Sequence, residues 1–158
     1  MARALIVGCG CRGQALTRAL IAEGHVVRGT TRDHARLADI AAAGAEAVTA
    51  DPDRLATMMG AIEGTSVVCW LMGTAGPGEA AQQLHGPRLD SMLEHIVDTP
   101  VRGLVYETGG QERPDGVAAA RRARATYGMP VEILDADPAQ PDAWTAAARA
   151  AVQRVLSP

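Results

Sequence analysis

The chain reads as an α/β protein: a doubly wound parallel sheet of about six strands in the order 3-2-1-4-5-6, within three α/β/α layers. Three observations predict this. Apolar runs of strand length alternate with longer segments of helical period about six times along the sequence. The first run ends in Gly8-Cys9-Gly10-Cys11-Arg12-Gly13 and passes directly into a helical segment. The run Ser66–Met72 is continuously apolar after its serine, as expected of a strand covered on both faces.

Taken in order, strand one is Ala4–Val7 and the first helix Gln14–Ala22, closed by Gly24. Strand two is Val26–Thr30. Asp33 then caps a helix that runs through Ala43 and ends at Gly44, where a left-handed residue is favoured. Strand three is Glu46–Thr49, and Asp51-Pro52 opens a short helix to Ile62. Strand four, Ser66–Met72, leads into a glycine-rich loop, Gly73–Gly78, and a helix over Glu79–Val97 with a break expected at Gly86-Pro87. Strand five is Gly103–Glu107, followed by the loop Thr108–Gly116 and a helix to Tyr127. Strand six is Pro130–Leu134, and Asp142–Leu156 forms a closing alanine-rich helix. Residues 1–158 are thus expected to form one domain, with no linker, repeat or separate substrate domain.

The glycine string carries chemistry. Gly8 permits the tight turn, Gly10 lets backbone approach a pyrophosphate, and Gly13 allows close helix–strand packing. The helix N-terminus behind them offers free N–H groups and the positive end of its dipole. Dinucleotide binding is expected, with Gly8, Gly10, Cys11, Arg12 and Gly13 at the pyrophosphate. Met72 and Gly73, at the end of strand four, complete the cofactor-binding set.

The end of strand two bears on which dinucleotide. An acid there binds both ribose hydroxyls of NAD, whereas this chain has Thr31 followed by Arg32. A guanidinium can grip a 2′-phosphate with two hydrogen bonds, so NADP is favoured, with NAD the alternative. Arg12 could reach the same phosphate or the pyrophosphate. Asp51, at the end of strand three, could accept from the adenine amino group or simply cap the next helix.

The remaining composition narrows the classes. A net charge of −3 and no basic stripe with interleaved aromatics argue against nucleic acid as partner. Residues 1–7 run straight into strand one and no apolar run reaches bilayer length, so a cytoplasmic protein away from the membrane is expected. The three cysteines form no disulfide framework and no metal set. Cys9 and Cys11 either fill a crowded turn or, beside a helix N-terminus and Arg12, form a redox-responsive thiol pair. In the closing helix, Trp144, Ala147, Ala148, Ala151, Val152 and Val155 form an apolar stripe, a core contact or a homodimer seam.

The run Gly8-Cys-Gly-Cys-Arg-Gly-Gln-Ala-Leu, with Leu20, Gly24-His25, Gly29 and Arg32, resembles the atypical extended branch of the short-chain dehydrogenase/reductase superfamily, including NAD-dependent epimerase/dehydratase-like proteins. Ala47–Asp51 resembles that branch's strand-three ending, whose aspartate lies by the adenine. Leu104–Gly109 falls where the branch carries its active-site strand and hydroxyl residue. The resemblance implies catalysis through a Tyr-xxx-Lys pair, and here the chain departs from it. No lysine occurs anywhere, Tyr106 is followed four residues on by Gly110, and Tyr127 by Val131. Tyr106 and Thr108 remain the candidate catalytic residues, with Glu107, His85 or His95 as alternative proton donors. The nicotinamide would point between the Gly73–Gly78 and Thr108–Gly116 loops. The expected function is NAD(P)(H) binding by an oxidoreductase or epimerase-like enzyme acting on a small molecule, or by a non-catalytic dinucleotide sensor or regulatory partner.

Overall fold

The computed structural model describes residues 2–75 and 78–157; Gly76 and Pro77 of the expected glycine-rich loop lie outside them. Six strands, β1 (Arg3–Val7), β2 (Val26–Thr31), β3 (Glu46–Thr49), β4 (Val67–Trp70), β5 (Gly103–Glu107) and β6 (Val131–Leu134), form one sheet in the order β3-β2-β1-β4-β5-β6. Every neighbouring pair is parallel, with Ile6 opposite Gly29 on one side of β1 and opposite Cys69 on the other. The helices are α1 (Cys11–Ala22), α2 (Leu37–Ala42), α3 (Leu55–Ile62), α4 (Glu79–Leu84), α5 (Pro87–Ile96), α6 (Pro114–Tyr127) and α7 (Pro141–Leu156). Strand order reverses between β1 and β4, and in such sheets ligands bind outside the carboxyl ends of the strands at that point.

The two-residue period of the strands divides the core into two layers. Leu5 and Val7 of β1 join Trp70, Leu104, Tyr106 and residues of α3, α5 and α6 on one face. Ala4 and Ile6 join Leu16, Leu20, Cys69, Val105 and Trp144 on the other, under α1 and α7. The α7 stripe is therefore consumed within the molecule, since Trp144, Ala148, Ala151, Val152 and Val155 are all buried.

Several boundaries differ from expectation for local reasons. The first helix starts at Cys11 rather than Gln14, because Gly10 is its N-cap and the glycine string itself supplies the first turn. Asp33 does cap, accepting from the Ala35 amide, but it caps a single 3-10 turn (His34–Arg36) that precedes α2. Asp51-Pro52 does not open α3. The Asp51 carboxylate accepts from the Asp53 amide in a turn, and the helix begins only at Leu55. The helix after β4 is broken into α4 and α5 at Gly86-Pro87, as Pro87 requires. α6 starts at Pro114, within the segment expected to be loop.

One buried cation went unanticipated. Arg28 of β2 lies almost wholly beneath α3, donating from Nη1 to the carbonyls of Ala61 and Glu63 at 2.7 Å each and from Nε to Glu46 at 2.9 Å. It satisfies carbonyls at the C-terminus of α3 and matches that end's dipole, which pins α3 to the sheet.

Candidate functional site

The glycine turn sits where the sheet positions it, at the carboxyl end of β1. Gly8 has φ +80°, and a Cβ there would stand 2.8 Å from the Leu71 carbonyl oxygen, so the turn tolerates no side chain. A Cβ on Gly13 would crowd Ile6 at 3.1 Å and Cys9 at 3.2 Å, the close helix–strand packing expected of it. A Cβ on Gly10 would meet nothing within 4 Å, because Gly10 faces open space. Among the described residues no side chain caps α1, whose N-cap is Gly10, and a helix start of that kind can offer its first amides to an anion.

That open space is a cavity of about 400 Å³ lined by Gly8, Cys9 and Gly10, by Thr30–Asp33 and Arg36, by Ala50 and Pro52, and by Leu71, Met72, Thr74 and Ala75. It spans the ends of β1, β2, β3 and β4. Arg32 and Arg36 both line it with exposed guanidinium groups, held only by long contacts to Asp53 (3.9 Å) and Asp33 (3.8 Å). Ion pairs so exposed contribute little, so either arginine can turn to a ligand. Arg36 is the residue sequence reasoning missed; its signal was its spacing four residues beyond Arg32 in a segment read only as helix.

Other expected contacts lie elsewhere. Asp51 is not among the lining residues; its neighbours Ala50 and Pro52 are. Cys11, Arg12 and Gly13 are also outside the lining, as is Gly73. Arg12 is engaged within the protein instead of lining the cavity. Its Nη1 donates to Glu107 Oε2 at 2.7 Å, its Nη2 to Thr74 Oγ1 at 3.2 Å, and its guanidinium lies 5.1 Å over the Trp144 ring. The fully buried Glu107 carboxylate also accepts from Trp144 Nε1 at 2.8 Å and from the Gly73 amide at 2.9 Å. Glu107, read as a strand end and a possible proton donor, and Arg12, read as a possible phosphate ligand, form one ion pair with the carboxylate buried and the guanidinium half-buried.

The geometry does not bring Tyr106 and Thr108 together in a cleft. Tyr106 is fully buried, its hydroxyl 2.6 Å from His85 Nδ1 and roofed by Gly116 of α6. Burial, the largest cause, pushes its phenol up to about 12, and lowers the pKa of His85, whose Nε2 lies 2.8 Å from the Met72 carbonyl. Thr108 donates instead to Asp135 on the β6 side, beside a separate 450 Å³ cavity lined by Arg113, Val117 and Arg121. Asp137 accepts from the Ala139 amide in the turn that follows. Nor is Cys9 an activated thiol: burial raises its pKa to about 11, and its Sγ packs against Gly13 and Gly29, so it fills the crowded turn.

With that geometry in view, the comparisons are specific. The model of a family described as NAD(P)H-binding matches residues 8–110, more than half of the chain. Among curated proteins no sequence matches. Solved structures share the fold at low identity. A protein described as an NAD-dependent epimerase/dehydratase from Bacillus halodurans superposes with TM-score 0.66 at 17% identity, over 84% of this chain and 69% of that one. Triphenylmethane reductase of Citrobacter sp., complexed with NADP(H), gives 0.64 at 18% identity, over 84% of this chain and 48% of the reductase. UDP-glucuronic acid 4-epimerase from Bacillus cereus, in complex with NAD, gives 0.60 at 15% identity, over 83% and 55%. This chain thus spans about half the length of the last two. A glycine turn with an open Gly10, an uncapped α1 and a cavity at the switch point are what a pyrophosphate needs, and they lie inside the matched residues: the chain belongs to the NAD(P)H-binding family.

Proposed function

We propose that the chain binds NADP(H) in preference to NAD(H) and acts as a dinucleotide-responsive module. One observation carries the preference. Arg32 and Arg36 line the same cavity as Gly8 and Gly10, at the end of β2, with their guanidinium groups exposed. An NADP adenosine laid with its pyrophosphate on the glycine turn would bring its 2′-phosphate between them. The acid in that lining, Asp33, already accepts from the Ala35 amide and faces Arg36, so it is poorly placed to select a free ribose diol. Bound there, NADP(H) would supply hydride chemistry; the chain's own residues would hold the pyrophosphate and the phosphoribose.

Responsiveness rather than turnover is favoured by the absence of lysine and by the burial of the Tyr106 hydroxyl against His85. A small-molecule oxidoreductase is the second reading, favoured by the cavity beside Thr108. Substrate-dependent oxidation of NADPH, lost in Thr108→Val, is its signature.

Melting experiments test the preference. NADPH at a hundred times its Kd should add about 2.7 kcal/mol of stability, which raises Tm by roughly 5–10 °C in a chain of this size. NADH at the same concentration should give a clearly smaller rise. Equal rises would remove the role given to Arg32 and Arg36.

A further inference from the structure

The open cavity accounts for only one side of the switch point. It covers the ends of β1, β2, β3 and β4, and among the described residues neither Gly73 nor any residue of the loop after β5 lines it. A dinucleotide laid across this fold would place its second nucleoside beyond the glycine turn, over the ends of β4 and β5. There the chain fills its own crevice. The loops after β4 and β5 touch backbone to backbone: a Cβ on Gly73 would stand 2.7 Å from the Gly109 amide nitrogen. Arg113 stitches them further, with Nε donating to the Thr108 carbonyl and Nη2 to the Gly73 carbonyl, each at 3.1 Å. Beneath that seam Glu107 holds Arg12, Trp144 and Gly73 together, tying the glycine turn, both loops and α7. Parting them would leave a buried carboxylate without its cation.

Resting on the NADP reading above, we infer that the site recognises only the 2′-phosphoadenosine diphosphate half of the dinucleotide. The nicotinamide riboside stays outside the protein, and the oxidation state of the ring goes unread. The ligand class is any 2′-phosphorylated adenosine diphosphate, with or without nicotinamide.

Calorimetric titration of the wild-type protein with NADPH, NADP⁺, 2′-phospho-ADP-ribose and ADP-ribose decides it. The first three should bind within about three-fold of one another and at least ten-fold tighter than ADP-ribose. The dihydronicotinamide fluorescence of NADPH should keep the position and intensity of the free cofactor on binding. NADPH or NADP⁺ binding ten-fold tighter than 2′-phospho-ADP-ribose, or a shifted nicotinamide emission, would overturn the half-site while leaving the NADP reading intact. ADP-ribose equal to 2′-phospho-ADP-ribose would overturn the phosphate reading and with it the ligand class named here. No binding by any of the four would overturn both.

Discussion

At the scale of residues, Glu107 and His85 are buried polar groups whose partners, Arg12 and Tyr106, come from other elements of the fold. Gly8, Gly10 and Gly13 each perform a task that spacing alone defines, and Arg32 follows β2 directly. Arg12 and Glu107 are ninety-five positions apart, and nothing local announces that they meet. A signal existed, because Glu107 ends an otherwise apolar strand, a place where a buried acid requires a partner. Gly116 is another example: read as loop, it lies on α6 and its missing side chain leaves room for the Tyr106 hydroxyl. His85 makes a prediction at this scale. Burial holds its pKa below 6.5, so below that pH the unfolded chain takes up a proton that the folded chain refuses. Its contribution is complete above pH 6.5 and is lost as pH falls through the folded value. Urea midpoints should therefore drop between pH 7 and 5, and His85→Gln should flatten that slope. An unchanged slope would mean that His85 does not titrate differently on folding.

At the scale of elements, the strands were read closely and the helix starts less so. A parallel strand buried on both faces is a continuous apolar run, as in β5, which falls at the expected residues; the edge strand β3, only partly buried, does so too. Helix starts depend on which residue adopts the cap conformation, and Gly10 and Arg54 do so without any capping side chain to mark them. The packing of α6 on β5 has a measurable consequence. A Cβ at residue 116 would overlap the Tyr106 hydroxyl, so Gly116→Ala must push α6 outward or break the His85–Tyr106 bond. Overpacking of that kind costs about 1–3 kcal/mol, more than the helix propensity gained. Urea unfolding should show the loss as a lower midpoint at constant m; a midpoint at or above wild type would mean that α6 yields freely.

At the scale of the whole molecule, the alternation of strands and helices and the glycine string were enough to order the sheet as β3-β2-β1-β4-β5-β6. Right-handed crossovers leave few other ways to arrange such a chain. The open cavity was legible, since the ends of β1, β2, β3 and β4 that line it follow from the strand order. The other side of the switch point was not legible, where loops after β4 and β5, the α1 turn and α7 close on one another through contacts set by the finished fold. Where a cleft was expected between the Gly73–Gly78 and Thr108–Gly116 loops, Gly73 packs directly on Gly109 for that reason. Arg32 and Arg36, in the segment that follows β2, are proposed to select a 2′-phosphate beside the glycine turn. Titration of wild type and the Arg32→Ala/Arg36→Ala variant with NADPH and NADH tests it most directly. Hydrogen bonds to charged groups contribute about 1.5–3 kcal/mol, so the variant should lose roughly ten- to hundred-fold in NADPH affinity and almost nothing for NADH. Equal losses for both, or none for either, would contradict it.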